Sequence, residues 1–231
     1  PNVIYRVGKP LGGAYLFDFA GINPANGRAM VYDANGNVTY RPTLTDAKYS
    51  GTLIPTYFGG YSNTFSYKNI SLEIFFQFQG GNKAFNNDYL NLYRSGSVAD
   101  NQLVTQLDRW RNPGDETNVG RPFESGTIEA QDQSFSNFFT SGVYGSTQMM
   151  SDASYVRLKQ VTLSYSLPSS ILSKLKLAKV TAFVQGLNLW TYTKFAGIDP
   201  EVVSNNAATG TSSFGVFPVG RQFMAGLTIG F

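Results

Sequence analysis

The sequence predicts an all-β fold, and more closely a transmembrane antiparallel β-barrel to which these 231 residues contribute one part. Three features predict it: strands of alternating polarity, connections that alternate between short and long, and a composition rich in aromatic residues and glycine. Residues 221–231 show the alternation most clearly, because their apolar side chains all fall on one face of a strand. Those side chains are Phe223, Ala225, Leu227, Ile229 and Phe231. The length also suits a strand of about 9–11 residues that crosses a bilayer.

The composition excludes several classes of function. The chain has no cysteine and no histidine, so neither a thiolate metal site nor a histidine-based catalytic triad can be built from it. A net charge of +3, with 14% charged residues, is too weak a basic bias to indicate nucleic-acid binding. There is no run of about 18 apolar residues, so no transmembrane helix is predicted. We predict no metal site and no cofactor.

The alternation predicts seven strands. They lie at 3–7, 14–20, 59–67, 70–79, 154–167, 179–193 and 221–231. Glu73 stands in the middle of the fourth, where a carboxylate must face water or a partner. A change of apolar phase near 186–188 predicts a bulge in the sixth strand.

A small hairpin is predicted between the second and third of these strands. Residues 29–33 and 37–40 flank Asn35-Gly36, a dipeptide typical of tight hairpin turns. Asp33, Asn35 and Asn37 also have the spacing that opens a calcium loop, but the glutamate required downstream is missing. The hairpin accounts for these residues without a metal.

The connections alternate in length. The short ones are near 8–13, 68–69 and 168–178, and the long ones are about 21–58, 80–153 and 194–220. Outer-membrane barrels keep this parity, with short turns on the periplasmic side and long loops outside. Seven strands would leave an unpaired edge in lipid, so the sequence predicts a portion of a larger barrel.

The longest connection predicts a helix from about Val98 to Trp110. Leu103, Leu107 and Trp110 form one stripe on that helix, and we expect the stripe to pack the loop onto the barrel. A ligand platform is the alternative.

Several segments resemble, in the same order, the C-terminal region of SusC/RagA-type TonB-dependent outer-membrane transporters. The segments are 12–24, 59–69, 107–114, 154–168, 186–190, 199–201 and the ending 221–231. The resemblance covers nearly all of residues 1–231. It identifies the chain as the C-terminal part of such a barrel, in the outer membrane of a Gram-negative bacterium.

The resemblance implies a barrel of 22 strands with an N-terminal plug, and barrels of that size do have plugged lumens. It implies energy supplied by the TonB complex through the plug. It also implies a SusD-like lipoprotein over the outer loops, contact with outer-membrane lipid, and barrel-assembly machinery that reads the terminal strand. Phe223, Leu227, Ile229 and Phe231 would carry that assembly signal.

The leading functional hypothesis is energy-coupled import of a nutrient, either an oligosaccharide or a peptide. The alternative is a non-transporting outer-membrane barrel with an adhesin or structural role. A barrel-embedded hydrolase is the third hypothesis. Its candidate carboxylates are Asp108, Asp115, Glu116 and Glu124. Capping and solvation explain them better, so we predict that the chain is not an enzyme. A soluble carbohydrate-binding sandwich is the remaining hypothesis.

Five residues are predicted as ligand or partner contacts. They are Tyr89, Tyr93, Arg109, Trp110 and Trp190. The aromatic members could stack on sugars or pack against the loops equally well.

Overall fold

The computed structural model describes residues 2–3, 7–10, 12–86, 89, 92, 101–122, 146–202 and 217–231. The chain divides into two compact units. The first contains Pro1–Ile54, Asn82–Asp152 and Phe195–Val216; the second contains Pro55–Gly81, Ala153–Lys194 and Phe217–Phe231. Within the described ranges, no helix is long and apolar enough to span a membrane.

Strands dominate both units. In chain order the strands are β1 (Asn2–Val3), β2 (Gly13–Leu16), β3 (Asp18–Ile22), β4 (Ala29–Tyr32), β5 (Val38–Thr39), β6 (Lys48–Thr52), β7 (Tyr57–Tyr67), β8 (Ile70–Gly80), β9 (Lys83–Phe85), β10 (Met150–Asp152), β11 (Tyr155–Ser166), β12 (Lys179–Thr193) and β13 (Gln222–Gly230). One α-helix, α1 (Ser169–Leu175), lies between β11 and β12. Short 3₁₀ helices occupy Leu44–Asp46, Val104–Asp108 and Thr147–Met149.

The second unit is a five-stranded sheet in the order β13-β12-β11-β8-β7, and every neighbouring pair is antiparallel. Residues paired across the strands share a face. One row of partners is Phe65, Leu72, Leu163, Val184 and Ala225. The next row is Thr64, Glu73, Thr162, Gln185 and Met224. The predicted alternation is therefore confirmed across all five strands.

We name the two faces of this sheet for their side chains. The apolar face carries Phe65, Tyr67, Ile70, Leu72, Ile74, Phe76, Leu158, Val161, Leu163, Tyr165, Ala182, Val184, Trp190, Phe223, Ala225, Leu227 and Ile229. The polar face carries Thr64, Ser66, Ser71, Glu73, Gln77, Arg157, Gln160, Thr162, Ser164, Gln185 and Thr191. The main exceptions on the polar face are Phe75, Phe183 and Leu187.

The short connections of this sheet lie at one end. Lys68 takes a left-handed conformation (φ 53°) in the two-residue turn between β7 and β8. The amide of Ser166 bonds the carbonyl of Asn69 at 2.9 Å, and the amide of Ala178 bonds that of Gly230 at 2.9 Å. These bonds join the turn, the α1 connection and the end of β13. The predicted short turns at 68–69 and 168–178 are thus confirmed.

The predicted bulge in β12 is also confirmed. The register shifts between Leu158 and Gln160 of β11, which pair with Trp190 and Leu187 of β12. Asn188 adopts φ 54° at the centre of the extra residues. Two residues of β12 stand opposite one residue of β11 here, so Val184 and Trp190 keep the same face, and it is in β11 that the apolar phase changes, from Leu158 to Val161.

The first unit holds three small sheets, ordered β1-β2-β6, β3-β4-β5 and β10-β9. Its larger core cluster consists of Leu16, Ile22, Ala29, Phe85, Val119 and Met149. A second cluster consists of Tyr15, Phe17, Val31 and Ala47. The predicted hairpin is present as β4 and β5, joined through the turn that contains Asn35-Gly36.

The first two predicted strands differ from the structure. Neither β1, which holds the described start of segment 3–7, nor segment 14–20 belongs to the five-stranded sheet, which contains the other five predicted strands; residues 4–6 lie outside the described residues. Segment 14–20 is divided at Phe17, which forms a parallel bridge with Ser146. All four residues of β2 are buried, so this strand has no exposed polar face. Alternation within a short, fully covered strand therefore does not indicate a barrel strand.

The predicted helix from Val98 to Trp110 is wrong over its described part. Residues 104–108 form only a short 3₁₀ helix, and Leu103 and Arg109 on either side of it are extended. The amide of Leu103 bonds the carbonyl of Leu92 at 3.1 Å, and that of Trp110 bonds Val119 at 2.9 Å. These amides bond other segments of the chain, so an α-helix cannot use them.

Two of the predicted long connections contain short strands in their described parts. Segment 21–58 contains β4, β5 and β6, and segment 80–153 contains β9 and β10. The predicted stripe of Leu103, Leu107 and Trp110 is also wrong: Leu103 and Trp110 pack against the larger core cluster of the first unit, whereas Leu107 is exposed.

Candidate functional site

The centre of the polar face is a group of polar side chains, some of them joined by hydrogen bonds. Thr162 accepts a bond from Gln160 Nε2 at 3.1 Å and one from Gln185 Nε2 at 2.9 Å. Glu73 lies directly across from Thr162 and Thr64 in the strand register. This group presents amides, hydroxyls and one carboxylate on a single surface.

Smaller hydroxyls continue the polar face toward the short turns. Ser66 and Ser71 share a bond of 3.2 Å, and Ser166 and Thr181 share one of 3.0 Å. The hydroxyl of Ser164 donates to the carbonyl of Ser71 at 3.4 Å. Such bonds satisfy the hydroxyls while leaving lone pairs open to water or a polar ligand.

At the other end the polar face contains a buried cation. Arg157 is 3% exposed, and its Nε donates to the Thr191 hydroxyl at 2.9 Å. The guanidinium carbon lies 5.6 Å from the centroid of the Tyr155 ring, a cation–π arrangement. Gln77 Nε2 in turn donates to the Tyr155 hydroxyl at 3.2 Å. These contacts fix the direction of the arginine side chain.

The chemistry of this face suits binding and solvation. Glu73 is the only acidic residue of the second unit, so the sheet offers no pair of carboxylates for acid–base chemistry. Among the residues that the structure describes, no three acidic side chains come together as metal ligands would.

Aromatic side chains lie at both ends of the apolar face, measured along the strands. Trp190 and Tyr192 stack with ring centroids 6.3 Å apart near the long connections. Tyr67 and Tyr165 lie in the row next to the short turns. Trp190, predicted as a ligand or partner contact, therefore stands on the apolar face and not on the polar one.

The residues of the predicted assembly signal share this apolar face. Phe223, Leu227 and Ile229 are all exposed along β13, which pairs only with β12 in the described sheet. Phe231 follows directly after β13 and is 97% exposed. Their role in assembly stays a prediction.

Trp110 joins two of the segments that carried the family resemblance. Its Nε1 donates to the carbonyl of Pro24 at 2.8 Å, and the amide of Gly114 bonds the same carbonyl at 2.8 Å. The indole covers Gly27, which has φ 71°; a Cβ there would lie 2.5 Å from the ring. Only glycine meets both demands, positive φ and close approach.

The other predicted contact residues of the first unit have local partners. Tyr89 packs against the larger core cluster, and its amide bonds Asn86 Oδ1 at 2.9 Å. Arg109 Nη1 donates to the carbonyl of Gln106 at 3.0 Å. Tyr93 lies outside the described residues. The structure thus assigns packing contacts to Tyr89 and Trp110, while ligand or partner contact stays a prediction for all five residues.

The described carboxylates that were considered for hydrolysis differ in their surroundings. Asp115 Oδ2 accepts bonds from the amides of Asn112 and Arg111, both at 2.9 Å, and these bonds lower the pKa of Asp115. Asp108 and Glu116 are exposed. Glu124 lies outside the described residues.

Two further carboxylates organise the hairpin. Asp33 accepts bonds from the amides of Asn37 and Asn35 at 2.7 and 2.9 Å, and hydrogen bonding from Asn37 lowers its pKa. Asp46 accepts bonds from the amides of Thr43 and Ala34 at 2.6 and 2.8 Å, which lower its pKa as well. The calcium-like spacing therefore corresponds to a carboxylate that caps a turn.

Comparison with known proteins indicates the same class. The chain is 30% identical over 251 residues to TonB-dependent receptor P3 of Formosa agariphila, covering 99% of this chain and 23% of the relative. It is 28% identical over 221 residues to TonB-dependent receptor P26 of the same organism, covering 89% and 20%. No family model matches the chain.

Solved structures share the fold. A structure of the RagAB peptide transporter matches 100% of this chain and 24% of its own, with a TM-score of 0.82 and 24% identity. The RagAB peptide importer in its open-open state matches 98% of this chain and 23% of its own, with a TM-score of 0.76 and 23% identity. The five-stranded sheet is thus part of an antiparallel transmembrane β-barrel.

The curated relatives are thus TonB-dependent receptors. Over nearly its whole length the chain is similar to part of such a receptor, and this confirms the predicted resemblance to the C-terminal part of the SusC/RagA type. It spans about a quarter of the relatives it matches. The relatives are named receptors and importers, which agrees with the prediction that the chain is not an enzyme.

Proposed function

We propose that this chain forms part of the wall of an outer-membrane importer that takes up a nutrient by energy-coupled transport. The observation that carries the proposal is the two-faced sheet of a chain related to TonB-dependent receptors. In this arrangement the apolar face contacts lipid and the polar face lines the lumen. The nutrient is an oligosaccharide or a peptide.

The exposure of the apolar face supports a lipid environment. Leu163 and Val184 are 45% and 54% exposed, although their strands have a neighbour on both sides. Leu227, on the edge strand β13, is 60% exposed. A continuous exposed apolar surface of this size is not typical of soluble proteins, where exposed apolar side chains are scattered. It is stable when lipid covers it. The aromatic residues at its two ends match the girdles that barrels place at membrane interfaces.

The polar face supports a water-filled or ligand-filled lumen. Glu73 at mid-strand would be costly in an apolar core, but water in the lumen solvates it. Thr162, Gln160 and Gln185 offer the hydroxyl and amide groups that bind sugar hydroxyls or peptide bonds. Both substrate classes therefore fit this wall.

Each proposed partner would act on a different part of the complete protein. A SusD-like lipoprotein would cover the long connections of the sequence, which include most residues of the first unit. The TonB complex would act through a plug domain in the complete protein. The barrel-assembly machinery would act on the strand β13 that ends in Gly230-Phe231.

Uptake by cells tests the proposal. A strain that lacks the gene and carries the full-length protein on a plasmid would be given fluorescent oligosaccharides and fluorescent peptides. We expect one class to accumulate only with the gene, and accumulation to stop when the proton gradient is collapsed. Normal uptake without the gene, together with lost surface adhesion, would indicate the adhesin role and contradict import.

Deletion of Phe231 should reduce assembly of the barrel without changing its transport. Its exposed ring follows the apolar residues of β13, where insertion machinery would read it. We expect less heat-modifiable protein in the outer-membrane fraction, and unchanged uptake per folded molecule. Deletion of the same residue combined with Ile229→Thr should deepen the loss. An unchanged amount of folded protein would contradict the role of Phe231.

A further inference from the structure

Charge is distributed very unevenly in the second unit. It contains eight cationic side chains and one acidic side chain, although the whole chain carries only 18 Lys and Arg against 15 Asp and Glu. No Asp or Glu occurs between Asp152 and Asp199. Such a surplus, on a sheet with an apolar face, indicates an anionic partner near the unit.

Three of the eight cations lie in the short connections of this sheet. We name these three the lysine belt: Lys68, Lys174 and Lys176. Lys68 is in the β7–β8 turn, and the other two are in the α1 connection. All three are exposed, and the hydrogen bonds described above place these two connections at the same end of the sheet. The belt therefore concentrates positive charge at the short-turn end of the sheet.

Apolar and aromatic side chains lie beside the belt. Ile171 and Leu175, one turn apart on α1, are 42% and 56% exposed and so form an unpartnered apolar stripe. Tyr67 and Tyr165 lie in the first row of the apolar face, and Lys68 Nζ stands 5.2 Å above the Tyr67 ring. Apolar anchors, interfacial tyrosines and lysines in this order match the depth profile of a membrane surface.

We propose that the lysine belt binds the phosphate groups of anionic phospholipids in the membrane leaflet at the short-turn end, with Ile171 and Leu175 inserted among the acyl chains. This inference rests on the proposed function, since it needs the apolar face to lie in lipid. Charge complementarity favours anionic phospholipid as the molecule that the belt binds, because long lysine side chains reach from an apolar surface to headgroup phosphates. An acidic protein would not account for the apolar stripe on α1.

Fluorescence quenching by lipid can test the belt in the full-length protein. Ser170→Cys places a bimane label on exposed α1, with any cysteine elsewhere in the protein replaced. The protein is reconstituted with nitroxide-headgroup phosphatidylglycerol or nitroxide-headgroup phosphatidylcholine at equal mole fraction and low salt. We expect half-maximal quenching at a severalfold lower mole fraction of the anionic lipid.

Two matched variants assign the effect to the belt. Lys174→Gln with Lys176→Gln removes two belt charges and should lower the preference severalfold, to near equality of the two lipids. Lys194→Gln with Arg221→Gln removes two charges of the same unit outside the belt and should leave the preference unchanged. Equal loss in both variants would overturn the assignment, because it would reflect net charge alone.

Two further measurements separate the remaining outcomes. Inorganic phosphate, compared with chloride at equal ionic strength, should not abolish the preference; if it does, the belt binds a free ion and not a lipid surface. A bimane at Leu163→Cys should be quenched by lipids brominated in mid-chain. If it is not, the proposed barrel fails. If it is, and the headgroup preference is absent in the parent protein, the belt proposal alone is overturned.

Discussion

Replacing Leu163 with lysine should destabilise the folded barrel by about 2–4 kcal/mol. Leu163 lies near the middle of β11 on the apolar face and is flanked by Leu72 and Val184 on the neighbouring strands. A charge there would have to leave water for lipid, and that transfer is the source of the cost. The measurement is a urea titration of folding into lipid vesicles, followed by the shift in electrophoretic mobility on heating.

The neighbouring residue provides the matched control. Thr162 precedes Leu163 in the same strand but lies on the polar face, so Thr162→Lys should cost far less. Leu227→Lys and Thr228→Lys repeat the comparison in β13. Equal costs on the two faces would contradict the assignment of lipid and lumen.

Replacing Trp110 with alanine should open the packing of the first unit. The side chain packs against the larger core cluster, covers Gly27 and donates to the Pro24 carbonyl, so its removal costs about 2–4 kcal/mol of local stability. Hydrogen exchange measured by mass spectrometry should show amides of 12–32 and 101–122 exchanging about 30-fold to 1,000-fold faster. Amides of β11 and β12 should keep their protection.

Leu107→Ala is the control for that change. Leu107 is exposed and three residues away in the same segment, so its replacement should alter exchange little. Similar acceleration by both variants would show that the segment is held by its backbone bonds and not by the indole.

Sequence reasoning succeeded where a strand has one apolar and one polar face over its full length. Strands 59–67, 70–79, 154–167, 179–193 and 221–231 agree with the structure within two residues. The bulge near Asn188 was also predicted, although the strand whose apolar phase changes across it is β11 and not β12.

The sequence was less informative where neighbouring segments determine the conformation. Residues 14–20 alternate like a barrel strand, yet β2 is covered on both faces and the strand breaks at Phe17. Residues around 103–110 carry a helical stripe, but the amides of Leu103 and Trp110 bond segments that no local pattern reveals. The glycine at 27 was likewise unpredictable, since its requirement comes from an indole that is distant in sequence.

The candidate site was also predicted only in part. The polar face could be assigned from alternation, and Glu73 was the strongest single indication of it. Arg157 was missed because simple alternation puts it in phase with Val161 and Leu163, and only the register shift between Leu158 and Gln160 places it on the polar face. Trp190 was assigned by residue type to ligand contact, while its phase in β12 places it on the apolar face.

The most direct test of the two-faced wall is a scan of single cysteines along β11, which is straightforward because the chain has none of its own. Residues 161–166 would be spin-labelled one at a time in the full-length protein in lipid vesicles. We expect oxygen, which concentrates in lipid, to relax labels at 161, 163 and 165, and a water-soluble nickel complex to relax those at 162, 164 and 166. A uniform response along the strand, or the opposite phase, would contradict the barrel wall proposed for this chain.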